Sequence, residues 1–238
     1  MKSLLWKIWF IFFMFLCLLG YFLLIICKIL LPKTAYRKVV NACVRFWGRT
    51  TVLSTGSQVE TFDLDKLPGH KQICFVANHQ GMFDIPLVLG FIGRPTGFIA
   101  KQELFKIPVL SWWMHEIPCV FIDRASARNA MASFTKSAAV IEQGHPLVIF
   151  PEGTRSRGDE MGRFHLGSFK LAVIAKATIV PVAIKGSWRV YEIDKKIHPT
   201  VLKLKVLDPI LPQDHIYNDK HALAETLRSQ IQSALNEM

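Results

Sequence analysis

The sequence predicts an α/β fold: a mixed, largely parallel central sheet flanked by helices, with an N-terminal membrane-associated helical segment. Three observations predict it. From about residue 50 onward, short β-rich runs alternate with longer helical ones, the pattern of strands joined through crossover helices. Several polar clusters stand directly after apolar runs, where the carboxyl ends of strands in open α/β sheets bind ligands. The segment from Ile8 to Cys27 carries no charge, and its apolar character continues past Lys28 to Leu31. Half of the 238 residues are apolar (51%), and 29 basic against 18 acidic residues leave a net charge of +11. A disordered tail and a small disulfide scaffold are excluded by that composition.

At about 1.5 Å per residue, the first segment is long enough to cross a hydrocarbon core of about 30 Å. It is expected to stay on the protein. A removable signal ends in small residues, whereas this run closes on Leu24-Ile25-Ile26-Cys27-Lys28-Ile29-Leu30-Leu31. Cys17 and Cys27 follow the bulky Leu16 and Ile26, which does not fit a lipoprotein attachment site. Lys28, Lys33, Arg37, Lys38, Arg45 and Arg49 follow the segment while only Lys2 and Lys7 precede it, which puts the remaining chain on the cytoplasmic face.

Pro32 stops the first helix, and Ala35, Val39, Cys43, Phe46 and Trp47 then recur at helical spacing with most basic residues off that stripe. Such a helix fits either the lipid headgroup layer or a face of the domain that follows it, and one stripe does not separate lipid from protein. Residues 1–49 are therefore expected to form a membrane anchor with an amphipathic helix, and residues 50–238 one domain with a single core.

Strands are expected at 73–77, 97–100, 119–122, 147–150, 179–184 and 201–206, and helices at 85–91, 107–115, 127–142, 166–176 and 219–236. The five cysteines (Cys17, Cys27, Cys43, Cys74, Cys119) form no C-x-x-C pair, so they read as small buried hydrophobes and not as a disulfide or metal framework.

The chain has no G-x-S-x-G elbow, no G-x-x-x-x-G-K-[ST] loop and no H-E-x-x-H helix. Its first polar cluster is Asn78-His79-Gln80-Gly81-Met82-Phe83-Asp84, directly after Ile73–Ala77. On one continuous helix Asp84 would be rotated roughly 140° from His79, so pairing them requires a turn. Gly81 supplies it, and Asp84 before Ile85-Pro86 reads as a helix N-cap whose carboxylate can fold back to the imidazole. An aspartate on one ring nitrogen fixes the tautomer and leaves the other as a general base. By itself the pattern also suits an ordinary cap beside an exposed histidine.

The second cluster, Pro151-Glu152-Gly153-Thr154-Arg155-Ser156, follows the 147–150 run. Arg155 offers a planar fork for phosphate, Gly153 permits close backbone approach, and Glu152 can hold Arg155 or accept a substrate hydroxyl. Lys101 and Arg124, the latter after Asp123, stand at the ends of two further runs, where basic residues would extend an anion site.

Together these blocks resemble the glycerolipid acyltransferase family, and within it the bacterial-type 1-acylglycerol-3-phosphate acyltransferases. The resemblance covers about residues 70 to 190 and rests on the order of four blocks: Asn78-His79 to Asp84, Phe121-Ile122-Asp123-Arg124, Phe150 to Ser156, and Val180-Pro181-Val182. Phe164, Gly167, Phe169 and Lys170 are similar to the stretch that follows the Glu-Gly-Thr-Arg block, and Pro118 stands where the family often has glycine.

The resemblance implies that His79 is the base, that Asp84 orients it, and that Glu152, Gly153, Thr154 and Arg155 bind the acceptor with Lys101 and Arg124 assisting on its phosphate. It implies direct transfer of an acyl group from acyl-CoA or acyl carrier protein to the sn-2 hydroxyl of lysophosphatidic acid, giving phosphatidic acid in phospholipid biosynthesis. Oxyanion donors are expected among the backbone N–H groups near Gly81 or Gly153. No metal, no cofactor and no nucleic acid is expected; the partners are thioester donor, lysolipid and membrane lipid. Two alternatives keep the sequence features differently: the same chemistry on another lysolipid, or a non-enzymatic basic membrane-binding protein.

Overall fold

The computed structural model describes residues 2–122 and 127–238. Among the described residues seven strands form one sheet: β1 (Gln58–Phe62), β2 (Ile73–Ala77), β3 (Gly97–Lys101), β4 (Val120–Ile122), β5 (Leu147–Ile149), β6 (Thr178–Lys185) and β7 (Val201–Val206), in the spatial order β1-β7-β6-β2-β5-β3-β4. Strands β2 to β6 run parallel to one another. Strand β7 pairs antiparallel with β6 and parallel with β1, so the sheet is mixed but mostly parallel.

The helices are α1 (Lys2–Leu30), α2 (Lys33–Leu53), α3 (Asp84–Phe91), α4 (Leu110–Glu116), α5 (Ala127–Glu142), α6 (Lys170–Ile174) and α7 (Lys220–Glu237). Central strands are covered on both faces, which is why β2 is buried at every position and reads as an unbroken apolar run. Within β2, Cys74 and Val76 enter the core shared with α5, α6 and α7, while Ile73, Phe75 and Ala77 enter the core shared with α2 and α3. Burial pushes the Cys74 thiol up to about 12, so it behaves as a hydrophobe, whereas Cys17, Cys27, Cys43 and Cys119 are only partly buried by exposure.

Strand β1 was absent from the expected elements. It is a polar edge strand with one partly buried residue among five, so it lacks an apolar run to reveal it. The expected helix at 107–115 begins later, at Leu110, because Pro108 disfavours a helical Ile107 and Val109 takes a positive φ of 63°. The segment before it, Gln102–Lys106, winds as a 3-10 helix. Residues 166–169 likewise form a 3-10 turn ahead of α6.

Helix α2 continues through residue 49 to Leu53 and packs on the domain. Its buried face is Tyr36, Val40, Val44 and Gly48, one residue away from the apolar stripe expected, because a tyrosine and a glycine complete the docking face. The crossing with α3 is made at Gly48 and Gly90: a Cβ on Gly48 would lie 2.6 Å from the Pro86 carbonyl oxygen and 2.7 Å from the Gly90 nitrogen. Phe46 remains exposed and meets Phe13 of α1 with ring centroids 6.3 Å apart.

Helix α1 is long and apolar enough to cross a membrane, and only Phe13 and Leu24 along it are buried. It folds back antiparallel on α2 after Pro32, with Trp6 Nε1 donating to Ser54 Oγ at 3.0 Å and Lys28 lying over the Tyr36 ring. Both of its ends touch the domain. Ser3 Oγ accepts the Ile197 N–H at 3.2 Å, while Lys28 Nζ meets Glu116 at 2.8 Å and Tyr21 stacks on Trp112 at 5.5 Å.

Candidate active site

Three neighbouring parallel strands, β5, β2 and β6, end at the same edge of the sheet, and their following loops build the site. The loop after β2 carries His79 to Asp84. His79 Nδ1 and Asp84 Oδ2 are 2.6 Å apart, with the aspartate side chain fully buried and the histidine 17% exposed. The turn closes because Asp84 Oδ2 also accepts the Gly81 N–H at 2.9 Å. Asp84 is the first residue of α3 and not its N-cap: Phe83 holds the cap position without a side-chain bond, and the carboxylate is committed backward to the turn.

Gly81 is required by close approach, not by positive φ. A Cβ there would lie 3.1 Å from Trp188 Cα and 3.2 Å from Glu192 Cγ. Both neighbours belong to the loop after β6, which sequence reasoning left empty. From that loop, Ser187 donates to Asp84 Oδ1, so each oxygen of the buried carboxylate is engaged. Asn78 anchors the start of the His79 turn to β6 in both directions, donating to the Ile184 carbonyl at 2.9 Å and accepting its N–H at 2.8 Å.

The loop after β5 sits beside this turn. Phe150 stacks on the His79 ring at 4.1 Å between centroids, and the Ser156 N–H donates to the His79 carbonyl at 2.8 Å. Glu152 is buried, with Oε1 accepting the His79 N–H at 2.7 Å and Oε2 the Gly162 N–H at 2.8 Å. Burial raises its pKa against those two hydrogen bonds. The carboxylate thus ties the β2 and β5 loops together and does not pair with Arg155, as the local sequence suggested.

Arg155 pairs instead with Glu192, Nη1 to Oε1 at 2.9 Å, and the same oxygen accepts the Met82 N–H at 3.1 Å. Lys195 Nζ meets the other oxygen at 2.5 Å. Burial alone would raise the Glu192 pKa; the bonds from Lys195 and Arg155 outweigh it and hold the carboxylate below its ordinary range. Gly153 has a φ of 69° and its N–H donates to the Phe150 carbonyl at 3.0 Å. Since the Gly81 N–H serves Asp84, the amides of Gly81 and Gly153 themselves are engaged by the protein, and an oxyanion donor must come from their neighbours. Thr154 is exposed beside them.

Lys101 ends β3 and is exposed at the same sheet edge, two strands from β2. Arg124 lies outside the described residues. Among the described residues, no three His, Cys, Asp or Glu side chains gather as metal ligands do. The geometry leaves one ring nitrogen of His79, Nε2, beyond the Asp84 contact, next to a loop that carries a half-exposed guanidinium.

A family model described as acyltransferase matches residues 58–185, more than half of the chain and spanning both loops. The chain belongs to the acyltransferase family. It is 32% identical over 216 residues to the probable 1-acyl-sn-glycerol-3-phosphate acyltransferase of Mycoplasma genitalium, covering 85% of this chain and 78% of that protein. Against the 1-acyl-sn-glycerol-3-phosphate acyltransferase of Pseudomonas aeruginosa it is 30% identical over 159 residues, covering 66% and 61%. A Chlamydomonas reinhardtii relative with the same enzyme name is 30% identical over 177 residues, and the chain spans about half (53%) of its length. The crystal structure of the 1-acyl-sn-glycerophosphate acyltransferase PlsC from Thermotoga maritima matches with a TM-score of 0.88 at 26% identity, over 100% of this chain and 97% of that one. The family that the four ordered blocks resemble is thus the family shown, and the mixed, largely parallel sheet expected from the alternating runs is the fold observed.

Proposed function

We propose that this acyltransferase moves an acyl group from an acyl thioester to the sn-2 hydroxyl of 1-acylglycerol 3-phosphate, giving phosphatidic acid for phospholipid biosynthesis. The observation that carries the chemistry is the His79 Nδ1 to Asp84 contact at 2.6 Å. With Nδ1 held by a buried carboxylate, Nε2 is the basic nitrogen. It takes the proton of the acceptor hydroxyl as that oxygen attacks the thioester carbonyl. Collapse of the tetrahedral intermediate expels the thiolate, which recovers the proton from His79, and Asp84 stays ionised to stabilise the transient imidazolium.

Direct transfer is supported by two nearby hydroxyls that serve the protein: Ser187 donates to Asp84, and Ser156 to the Gly158 carbonyl at 3.1 Å. Arg155 is the cation for the acceptor phosphate, with Lys101 and Arg124 assisting, and Glu152, Gly153 and Thr154 shape that loop. The acceptor assignment also draws on the relatives, which carry that substrate in their names.

Residues 1–49 serve in this reading as the membrane anchor and residues 50–238 as the catalytic part, on the cytoplasmic face. Helix α1 lies in the interface and does not span. Its two ends are both docked on the domain, at Ile197 and at Glu116, and a spanning helix would bury the charged 192–198 loop in hydrocarbon. Its outward face exposes Leu5, Ile8, Phe12, Phe15, Leu19 and Leu23, which suits the acyl boundary.

The test is acyl transfer by the purified full chain from acyl-CoA and from acyl carrier protein to lysophosphatidic acid, other lysophospholipids and monoacylglycerol, with mass spectrometry of the lipid product. Phosphatidic acid formed with stoichiometric thiol release is expected. Preferential acylation of another lysolipid reassigns the acceptor, and thiol release that ignores the acceptor removes the transferase assignment.

A further inference from the structure

The loop after β6 contributes more than Ser187. Glu192 has a side chain only 1% exposed, yet it is charged and carries two cations, Arg155 at 35% and Lys195 at 54% exposure. A carboxylate with two oxygens takes one N–H from each. Arg155 keeps its remaining guanidinium donors and Lys195 keeps two ammonium hydrogens beyond their bonds to the buried anion. Anchored on the two oxygens of one group, the cations are held within a phosphate's reach of each other.

This arrangement lies against the reacting groups. The Glu192 oxygen that holds Arg155 also accepts the N–H of Met82, inside the turn between His79 and Asp84. It also lies at the amino-terminal end of α1: Lys195 Nζ stands 5.5 Å from the Tyr191 ring centroid, Lys7 Nζ stands 6.0 Å from the same centroid, and Trp6 approaches Phe83 at 6.2 Å. A lysolipid that leaves the apolar face of α1 for His79 therefore passes its headgroup by Lys195 and Arg155.

We propose that Lys195 is a further phosphate-binding cation of the acceptor site, set beside Arg155 by the buried Glu192, and that the pair selects a phosphomonoester over a phosphodiester or an uncharged headgroup. A phosphomonoester near neutral pH carries close to two charges and three terminal oxygens, enough to engage both cations, whereas a diester offers one charge and two such oxygens. This rests on the proposed phosphate-bearing acceptor.

The experiment is steady-state kinetics of the full chain with Lys195→Ala and Lys195→Arg. Acceptors are lysophosphatidic acid, lysophosphatidylglycerol and monoacylglycerol, with acyl donor varied separately. Lys195→Ala should raise the KM for lysophosphatidic acid about tenfold to a hundredfold, the range of a charged hydrogen bond. Its kcat and its KM for the donor should stay within about twofold, and Lys195→Arg should recover most of the loss. Its selectivity for lysophosphatidic acid over the diester should fall in parallel. An unchanged KM in Lys195→Ala, with wild type still using lysophosphatidic acid, overturns the role of Lys195 and leaves the acceptor assignment standing. A rise confined to the donor KM also overturns it, moving Lys195 to the donor. Failure of wild type to use lysophosphatidic acid overturns both.

Discussion

Glu192 Oε1 lies 2.9 Å from Arg155 Nη1, although the two residues are 37 apart in sequence and Glu152 is only three away from the arginine. The nearer glutamate is spent on the amides of His79 and Gly162, so the arginine takes its counter-ion from a different strand's loop. One edge of the guanidinium is thereby fixed by protein, and its orientation toward the His79 turn follows from the fold.

Arg155→Lys should therefore behave as a loss and not as a conservative change. A lysine ammonium can satisfy Glu192 or a phosphate, but it lacks the planar fork that serves both. Acceptor use should fall about tenfold to a hundredfold. Initial rates against lysophosphatidic acid concentration check this, and wild-type kinetics in the lysine variant would remove Arg155 from the phosphate site.

His79→Ala should lower transfer by about a hundredfold to ten-thousandfold while the protein still folds, since the ring is near the surface of the site. Asp84→Asn should also be severe, because an amide presents the wrong partner to Nδ1 and to Ser187. Ser187→Ala should be milder, on the order of tenfold, as it leaves one buried oxygen of Asp84 unpaired. Rates together with circular dichroism separate chemistry from unfolding; activity within a few-fold of wild type in His79→Ala would falsify the general-base role.

The depressed pKa of Glu192 predicts how stability depends on acid. A carboxylate bound more tightly to cations when folded contributes stability that is fully present above about pH 4.5, its unfolded value, and lost as pH falls through the lower folded value. Glu192→Gln should thus melt below wild type at neutral pH, and the gap should close as the buffer is taken below about pH 4.5. A gap that stays constant down to pH 3 would show that the charge on Glu192 contributes nothing to folding.

At the crossing of α2 and α3, even a methyl group should be costly. A Cβ on Gly48 would meet two backbone atoms closer than 3 Å, so the helices must separate. Gly48→Ala should destabilise by about 1–3 kcal/mol, the range for overpacking. Thermal melting in detergent measures it, and an unchanged midpoint would contradict the close crossing.

Single cysteines placed at Leu4 and at Ile29, in a chain otherwise free of cysteine, should both be labelled from the cytoplasmic side of intact vesicles if α1 lies in the interface. Labelling of the two from opposite sides would establish a spanning helix and break the contact between Ser3 and Ile197.

The strands 73–77 and 201–206 and the helix 127–142 were legible to the residue because a fully buried strand leaves an unbroken apolar run, a half-buried strand an alternation and an amphipathic helix its period in the sequence. The pairing of His79 with Asp84 was legible for a related reason: five residues with a glycine between them form a local turn, and local geometry is written locally. The apolar length of α1 was equally plain.

The sequence by itself determined the α/β class, the apolar N-terminal helix and the two loops that meet at His79. Only the tertiary structure decided which carboxylate holds Arg155, which hydroxyl steadies Asp84, that Glu152 bridges two loops, and which face of α2 docks. The reason is physical. Ser187 and Glu192 follow no motif, and they reach the site only because β6 lies beside β2 in the sheet, while strand order and the helix crossing at Gly48 are set by long-range packing that no local spacing records.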